Sequence, residues 1–117
     1  LLFSEDGKLI FYLVENLRNS KDFSVEIMDA ESQKVIKRIA LKSDIVLPAA
    51  FSMTTDQNIW AVGEKSGRIL LFSAEDGRLL SALDSDQEAI LGLYFDSDRL
   101  LISLNSTGMF NVWGIEK

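Results

Sequence analysis

Tight-turn signals punctuate this chain at roughly eight- to twelve-residue intervals, a spacing that leaves room for short strands and little else. Between Gly63 and Leu83, the pairs Ser66-Gly67 and Asp76-Gly77 are each followed by an apolar run. Such pairs tolerate the positive φ that a tight hairpin demands. The runs between turns, such as IWAV at 59–62 and LLIS at 100–103, are short and rich in Ile, Val, Leu and Trp. They are too brief for stable helices and suited to strands.

The turns also recur at a longer period. Gly67 and Gly108, Phe72 and Trp113, and Trp60 and Leu101 are all separated by 41 positions. Upstream of each hairpin sits an apolar segment ending in polar turn residues: AAFSMTTDQN at 49–58, LYFDSDR at 93–99 and, as a third copy, LLFSEDGK at 1–8. Naming the strands of each copy A to D, the pattern predicts A at 1–4, 45–52 and 89–95, and B at 8–15, 59–64 and 99–105. C follows at 23–29, 68–74 and 109–115, and D at 35–41 and 78–83.

Because IWAV and LLIS are nearly continuous in apolar residues, both faces of their sheets should be covered. Four-stranded antiparallel sheets recurring every 40 to 45 residues or so are the blades of a β-propeller, where neighbouring blades provide that cover. The expected fold is all-β, a partial propeller of just under three blades: 1–41, 45–83 and 89–117, the last lacking its outer strand. A ring needs at least about four blades, so the remainder of the same propeller is an expected partner. Leu1-Leu2-Phe3-Ser4 looks like the tail of an interrupted strand, and the segment reads as the C-terminal part of a larger ring.

Composition narrows the chemistry. The chain has 117 residues, no Cys and no His, so thiolate and imidazole ligands, thiol nucleophiles and His-based acid–base pairs are absent. A formal charge of −6 argues against a phosphate-binding surface spread over the chain. Its apolar runs are far shorter than the roughly 18 to 20 residues of a membrane-spanning helix, and no secretion signal opens it. The expectation is an intracellular protein with no catalytic residues, no cofactor, no metal, no membrane insertion and no direct nucleic-acid contact.

Several motif-like stretches have plainer roles. Gly63-Glu64-Lys65-Ser66-Gly67 has phosphate-loop residues in the wrong order and between two strands, so it reads as a hairpin turn. Asp84-Ser85-Asp86-Gln87-Glu88 opens like a calcium loop but has Ala89 and Phe95 where Gly and Glu are needed. Asp96 and Asp98 fall in a polar turn, and Asn105-Ser106-Thr107 is a glycosylation sequon that also suits a turn. Lys34, Lys37, Arg38 and Lys42 should guard an outer sheet edge. Trp60 and Trp113 are expected in the core.

The third copy, through Ser103, Gly108 and Trp113, resembles the WD-repeat propeller family. In that family a strand-B Ser, a turn Asp, a loop His and the Trp form a hydrogen-bonded tetrad. Here Ser103 and Trp113 match, Thr107 replaces the Asp and there is no His; Phe72 and Met28 stand where Trp would be. GRILLFSAEDGRLL also looks like the repeat of quinoprotein-type propellers, from which no quinone-site residue carries over. The resemblance implies a non-catalytic scaffold for protein–protein contact, its partners being subunits of a larger complex. The alternative is a propeller attached to an enzyme or to a nucleic-acid-associated complex. By this register the connections NLRNSKD (16–22) and DSDQE (84–88) exceed what their hairpins or crossings require, which makes Arg18, Lys21, Asp84, Asp86 and Glu88 the candidate protein-binding residues.

Overall fold

A computed structural model of the chain describes residues 1–84 and 88–115. Among the described residues, three antiparallel meanders follow one another in sequence. The first contains β1 (Leu2–Phe3), β2 (Leu9–Asn16), β3 (Asn19–Asp29) and β4 (Lys34–Ala40). The second contains β5 (Pro48–Met53), β6 (Ile59–Glu64), β7 (Arg68–Ser73) and β8 (Leu79–Asp84). The third contains β9 (Ile90–Ser97), β10 (Leu100–Asn105) and β11 (Phe110–Gly114). The fold is all-β, and its sheets stack as the blades of a propeller do.

The 41-residue offset is a structural equivalence. Trp60 pairs with Phe72 across β6 and β7, and Leu101 pairs with Trp113 at the corresponding place on β10 and β11. In the second sheet, alternate side chains leave in opposite directions. Trp60, Val62, Leu70 and Phe72 pack toward the first sheet, against Phe11, Phe23, Val25 and Ile45. Ile59, Ala61, Ile69 and Leu71 pack toward the third, against Ile90, Phe95 and Leu101. Every residue of β6 is buried, as its unbroken apolar run requires. At about 1.5–3 kcal/mol for each large apolar side chain buried, these two seams dominate the stability.

The third sheet departs from that expectation. Along β10, Leu101, Ser103 and Asn105 are buried while Leu100, Ile102 and Leu104 are not. Ile102 lies between Tyr94 and Val112 in register, and these neighbours are 61% and 66% exposed. The described residues therefore cover only one face of this sheet, and LLIS is two-sided in composition but one-sided in packing.

Other boundaries also shifted. NLRNSKD is not a loop: β2 runs to Asn16, β3 starts at Asn19, and Asn16 pairs with Asn19 around the two-residue turn Leu17-Arg18. Its polar residues extend a hairpin whose faces both meet water, where a strand needs no apolar pattern. The second inner strand begins at Pro48 instead of 45, although Ile45 is fully buried in the crossing that leads to it. Asp96 belongs to β9, and only Asp98 and Arg99 make the turn to β10. Trp113 is half-buried against the second seam instead of fully enclosed. Lys34, Lys37 and Arg38 lie on β4 at a sheet edge, where Arg38 sits 3.7 Å from Glu26, whereas Lys42 lies beyond the strand and its N–H donates to the Gly77 carbonyl.

Candidate functional site

A meander sends its turns alternately to two ends. At one end, the turns that enter β2 and β6 share a construction. Ser4 Oγ donates to Asp6 Oδ1 (2.6 Å) and accepts the Leu9 N–H, while the Lys8 N–H donates to Asp6 Oδ1. Thr54, Asp56, Asn58 and Ile59 repeat this: Thr54 Oγ1 donates to Asp56 Oδ1 (2.7 Å) and accepts the Ile59 N–H. Gly7 and Gln57 hold matching φ values of 71° and 65°. The Ser4 bond foremost, with the Lys8 amide, lowers the Asp6 carboxyl below its ordinary value against a small opposing effect of burial. These carboxylates are occupied with closing turns.

The opposite end gathers the β2–β3, β6–β7 and β10–β11 hairpins together with the crossings between sheets. At its centre is Glu64, 1% exposed. Arg68 donates to it twice, from Nε to Oε1 at 2.7 Å and from Nη2 to Oε2 at 3.0 Å. The Val46 N–H donates to Oε2 at 2.7 Å, and Arg68 Nη2 also reaches the Asp44 carbonyl at 3.3 Å. One fork thereby fastens the crossing between the first two sheets to the β6–β7 turn. Desolvation pushes the Glu64 carboxyl up, but the Arg68 hydrogen bonds, the Val46 N–H and the Arg68 charge outweigh it and leave the group below its ordinary value of 4.5.

A lowered carboxyl pKa contributes stability that is present above the unfolded value and is lost as pH falls through the folded one. Glu64→Gln should therefore cost about 1 to 2 kcal/mol at neutral pH, a figure kept small because Arg68 is partly solvated. In urea titrations, the difference between Glu64→Gln and the parent should shrink progressively below pH 4.5, the ordinary value of the carboxyl. A difference that stays constant to pH 3 or so would show that the charge contributes nothing.

Asn105 occupies the position of Glu64 in the next repeat and is equally buried at 1%. Its Oδ1 accepts from the Thr107 N–H, Thr107 Oγ1 and the Met109 N–H, at 3.1, 2.7 and 3.0 Å. The sequon amide is thus engaged inside its own turn. In sequence both residues look like ordinary turn residues, although the 41-residue frame places each three positions ahead of a turn glycine. Trp113 donates its indole N–H to Ser103 Oγ at 3.0 Å, the pairing implied by the two matching tetrad positions. Trp60 is fully buried in the first seam.

The sequence-predicted binding residues fall into two groups at this end. Arg18 is exposed at the hairpin tip beside Leu17, which is 101% exposed. Lys21 is exposed on β3, and its carbonyl accepts the Ile45 N–H at 2.9 Å, so it borders the first crossing. Asp84 is exposed at the end of β8, opposite Arg68 in register. Glu88 is half-buried and accepts a 3.1 Å hydrogen bond from Ser106 Oγ, at the second crossing. Asp86 lies outside the described residues, as does most of the calcium-like segment; β9 begins at Ile90, within the span that a twelve-residue calcium loop would need. Among the described residues no cluster of three or more acidic side chains could hold a metal, and no helix is long and apolar enough to cross a membrane.

No protein-family model matches the chain. Among curated proteins it is similar to WD repeat-containing protein 55 of Bos taurus, 25% identical over 118 residues, covering 100% of this chain and 29% of that protein. It is 28% identical over 108 residues to WD repeat-containing protein 55 of Danio rerio, covering 92% of this chain and 26% of that one. The chain thus spans less than a third of these relatives. Among solved structures, the WD40 repeats of RRP9 match with a TM-score of 0.68 at 21% identity, over 97% of this chain and 34% of that one. The computationally designed Ika4 protein matches at 0.63 and 20% identity, over 89% of this chain and 64% of that one. The chain is thus similar in sequence to WD repeat-containing proteins and shares the fold of WD40 propeller blades.

Proposed function

We propose that this chain is part of a non-catalytic propeller scaffold that binds other proteins within a multisubunit assembly, using the end that carries the β2–β3 hairpin and the sheet crossings. The supporting observation is that hairpin: it projects a fully exposed Leu17 and an exposed Arg18 from the polar, paired ends of two strands. Buried polar side chains near the turns, by contrast, are engaged in turn closure, which leaves little for chemistry. We also propose that further blades of the same protein cover the open face of the third sheet, whose Tyr94, Phe110 and Val112 together expose more apolar surface than an isolated side chain would.

Charge reversal tests the choice of end. Arg18→Glu with Lys21→Glu, and separately Asp84→Lys with Glu88→Lys, should each lower recovery of co-purifying proteins about fivefold or more in affinity capture. Glu5→Lys with Glu75→Lys, at the opposite end, should leave recovery unchanged. Loss confined to the opposite-end pair would reverse the assignment.

A further inference from the structure

The crossing between the first two sheets holds two apolar side chains out in water by a defined mechanism. Val46 and Leu47 are 43% and 62% exposed. Leu47 has φ at 50°, the left-handed region that a branched residue enters at a cost of about 1 kcal/mol or more. The conformation is not slack. Ile45 is fully buried, the Val46 N–H is bound by the enclosed Glu64 carboxylate, and the Leu47 carbonyl accepts the Lys65 N–H at 3.0 Å. A buried charge and a strained backbone thus fix two residues whose burial would have been favourable.

Beside them runs a groove of about 370 Å³, lined by Lys21, Phe23, Val46, Leu47, Pro48 and Lys65. Glu15 adds one carboxylate to its rim. A second hollow shares Glu15, Phe23 and Pro48 with it and continues between the sheets, so the two make a trough instead of a closed pocket. Lys21 and Lys65 are exposed, and neither makes an ion pair among the described residues. On a chain of net charge −6, this rim has a surplus of positive charge.

We propose that the trough docks an extended, acidic and apolar peptide segment of a partner protein. An aliphatic side chain of that segment seats against Val46, Leu47 and Pro48, and its flanking carboxylates pair with Lys21 and Lys65. The trough shape suits a strand-like segment, and the rigid, pre-strained crossing lowers the ordering needed on binding. The inference rests on the scaffold reading and gives it a partner chemistry.

The test is fluorescence anisotropy on the full-length protein with three probes: a labelled eight-residue peptide alternating leucine and glutamate, its leucine–lysine counterpart, and an eight-residue oligouridylate. The leucine–glutamate peptide should bind, and Leu47→Gly and Lys65→Glu should each weaken it about tenfold or more. Glycine accepts positive φ, so Leu47→Gly should unfold at the parent temperature or above, separating lost binding from lost fold. Failure of the acidic peptide to bind, equal binding of the lysine peptide, binding of the oligouridylate in its place, or unchanged affinity in both variants overturns the proposal. If Leu47→Gly still captures partners normally while the Arg18 or Asp84 sets do not, the groove is wrong and the scaffold reading stands.

Discussion

Gly77→Ala is expected to destabilise the protein by roughly 3 to 5 kcal/mol, the largest effect of any single methyl addition proposed here. Gly77 adopts φ of 78°, and a Cβ there would run into the Ala40 carbonyl oxygen, a backbone atom that has no rotamer to change. The Gly77 carbonyl in turn accepts the Lys42 N–H at 2.8 Å, so a main-chain hydrogen bond ties the β7–β8 turn to the segment that leaves the first sheet. Gly108→Ala supplies the comparison: its φ is 85° but nothing lies within 4 Å of the added carbon. That variant should lose only about 1 kcal/mol, from backbone strain. Urea midpoints measured for both would separate the two contributions. Equal losses would mean that the sheet-to-sheet contact at Gly77 is absent in solution.

Trp60→Ala should cost about 3 to 5 kcal/mol, because the indole is wholly enclosed in the first seam and its removal leaves a cavity that flanking strands cannot close. Trp60→Phe should cost far less, near 1 kcal/mol or so, since the Trp60 indole N–H has no partner among the described residues and its loss removes a desolvated donor. At Trp113 the two losses should lie closer together. Being half-buried, it should lose only about 2 kcal/mol as Ala, but Trp113→Phe forfeits the bond to Ser103 and should cost about 1 kcal/mol. Calorimetric melting of the four variants would check this ordering; a Trp113→Ala loss matching that of Trp60→Ala would place Trp113 in the enclosed core after all.

Turns carried most of the information about this fold. Gly67 and Gly108 take φ of 93° and 85°, Asp6 and Asp56 accept backbone N–H groups, and these local demands are visible in single residues. Burial of β6 was equally legible, because an unbroken apolar run favours cover on both faces, although the same pattern in β10 meets cover on only one face among the described residues. Glu64 was hidden by its company. In a Gly-Glu-Lys-Ser-Gly stretch its polarity suggests solvent, and only the distant Val46 amide and Arg68 explain why a carboxylate is enclosed there. The β2–β3 hairpin misled for the complementary reason. Polarity signals a loop when a strand is expected to rest on a core, but NLRNSKD extends a ladder beyond the sheet, with Asn16 and Asn19 oxygens accepting nearby backbone N–H groups. The candidate binding residues were readable as a location on one end and not as a surface, since the apolar members Leu17, Val46 and Leu47 carry no motif.

That projecting hairpin has a consequence for how such a chain can change over generations. A hairpin anchored below by Phe11, Phe23 and Val25 can lengthen two residues at a time, one per strand, without altering any pairing beneath it. An uneven addition must be absorbed by an irregularity, and the register break between Glu15 and Asn16 is one. Lengthening a closed loop costs little chain entropy. The reach and chemistry of this tip are therefore free to diverge between lineages while the seams below stay under strict packing control, so new recognition can arise here without first risking the fold.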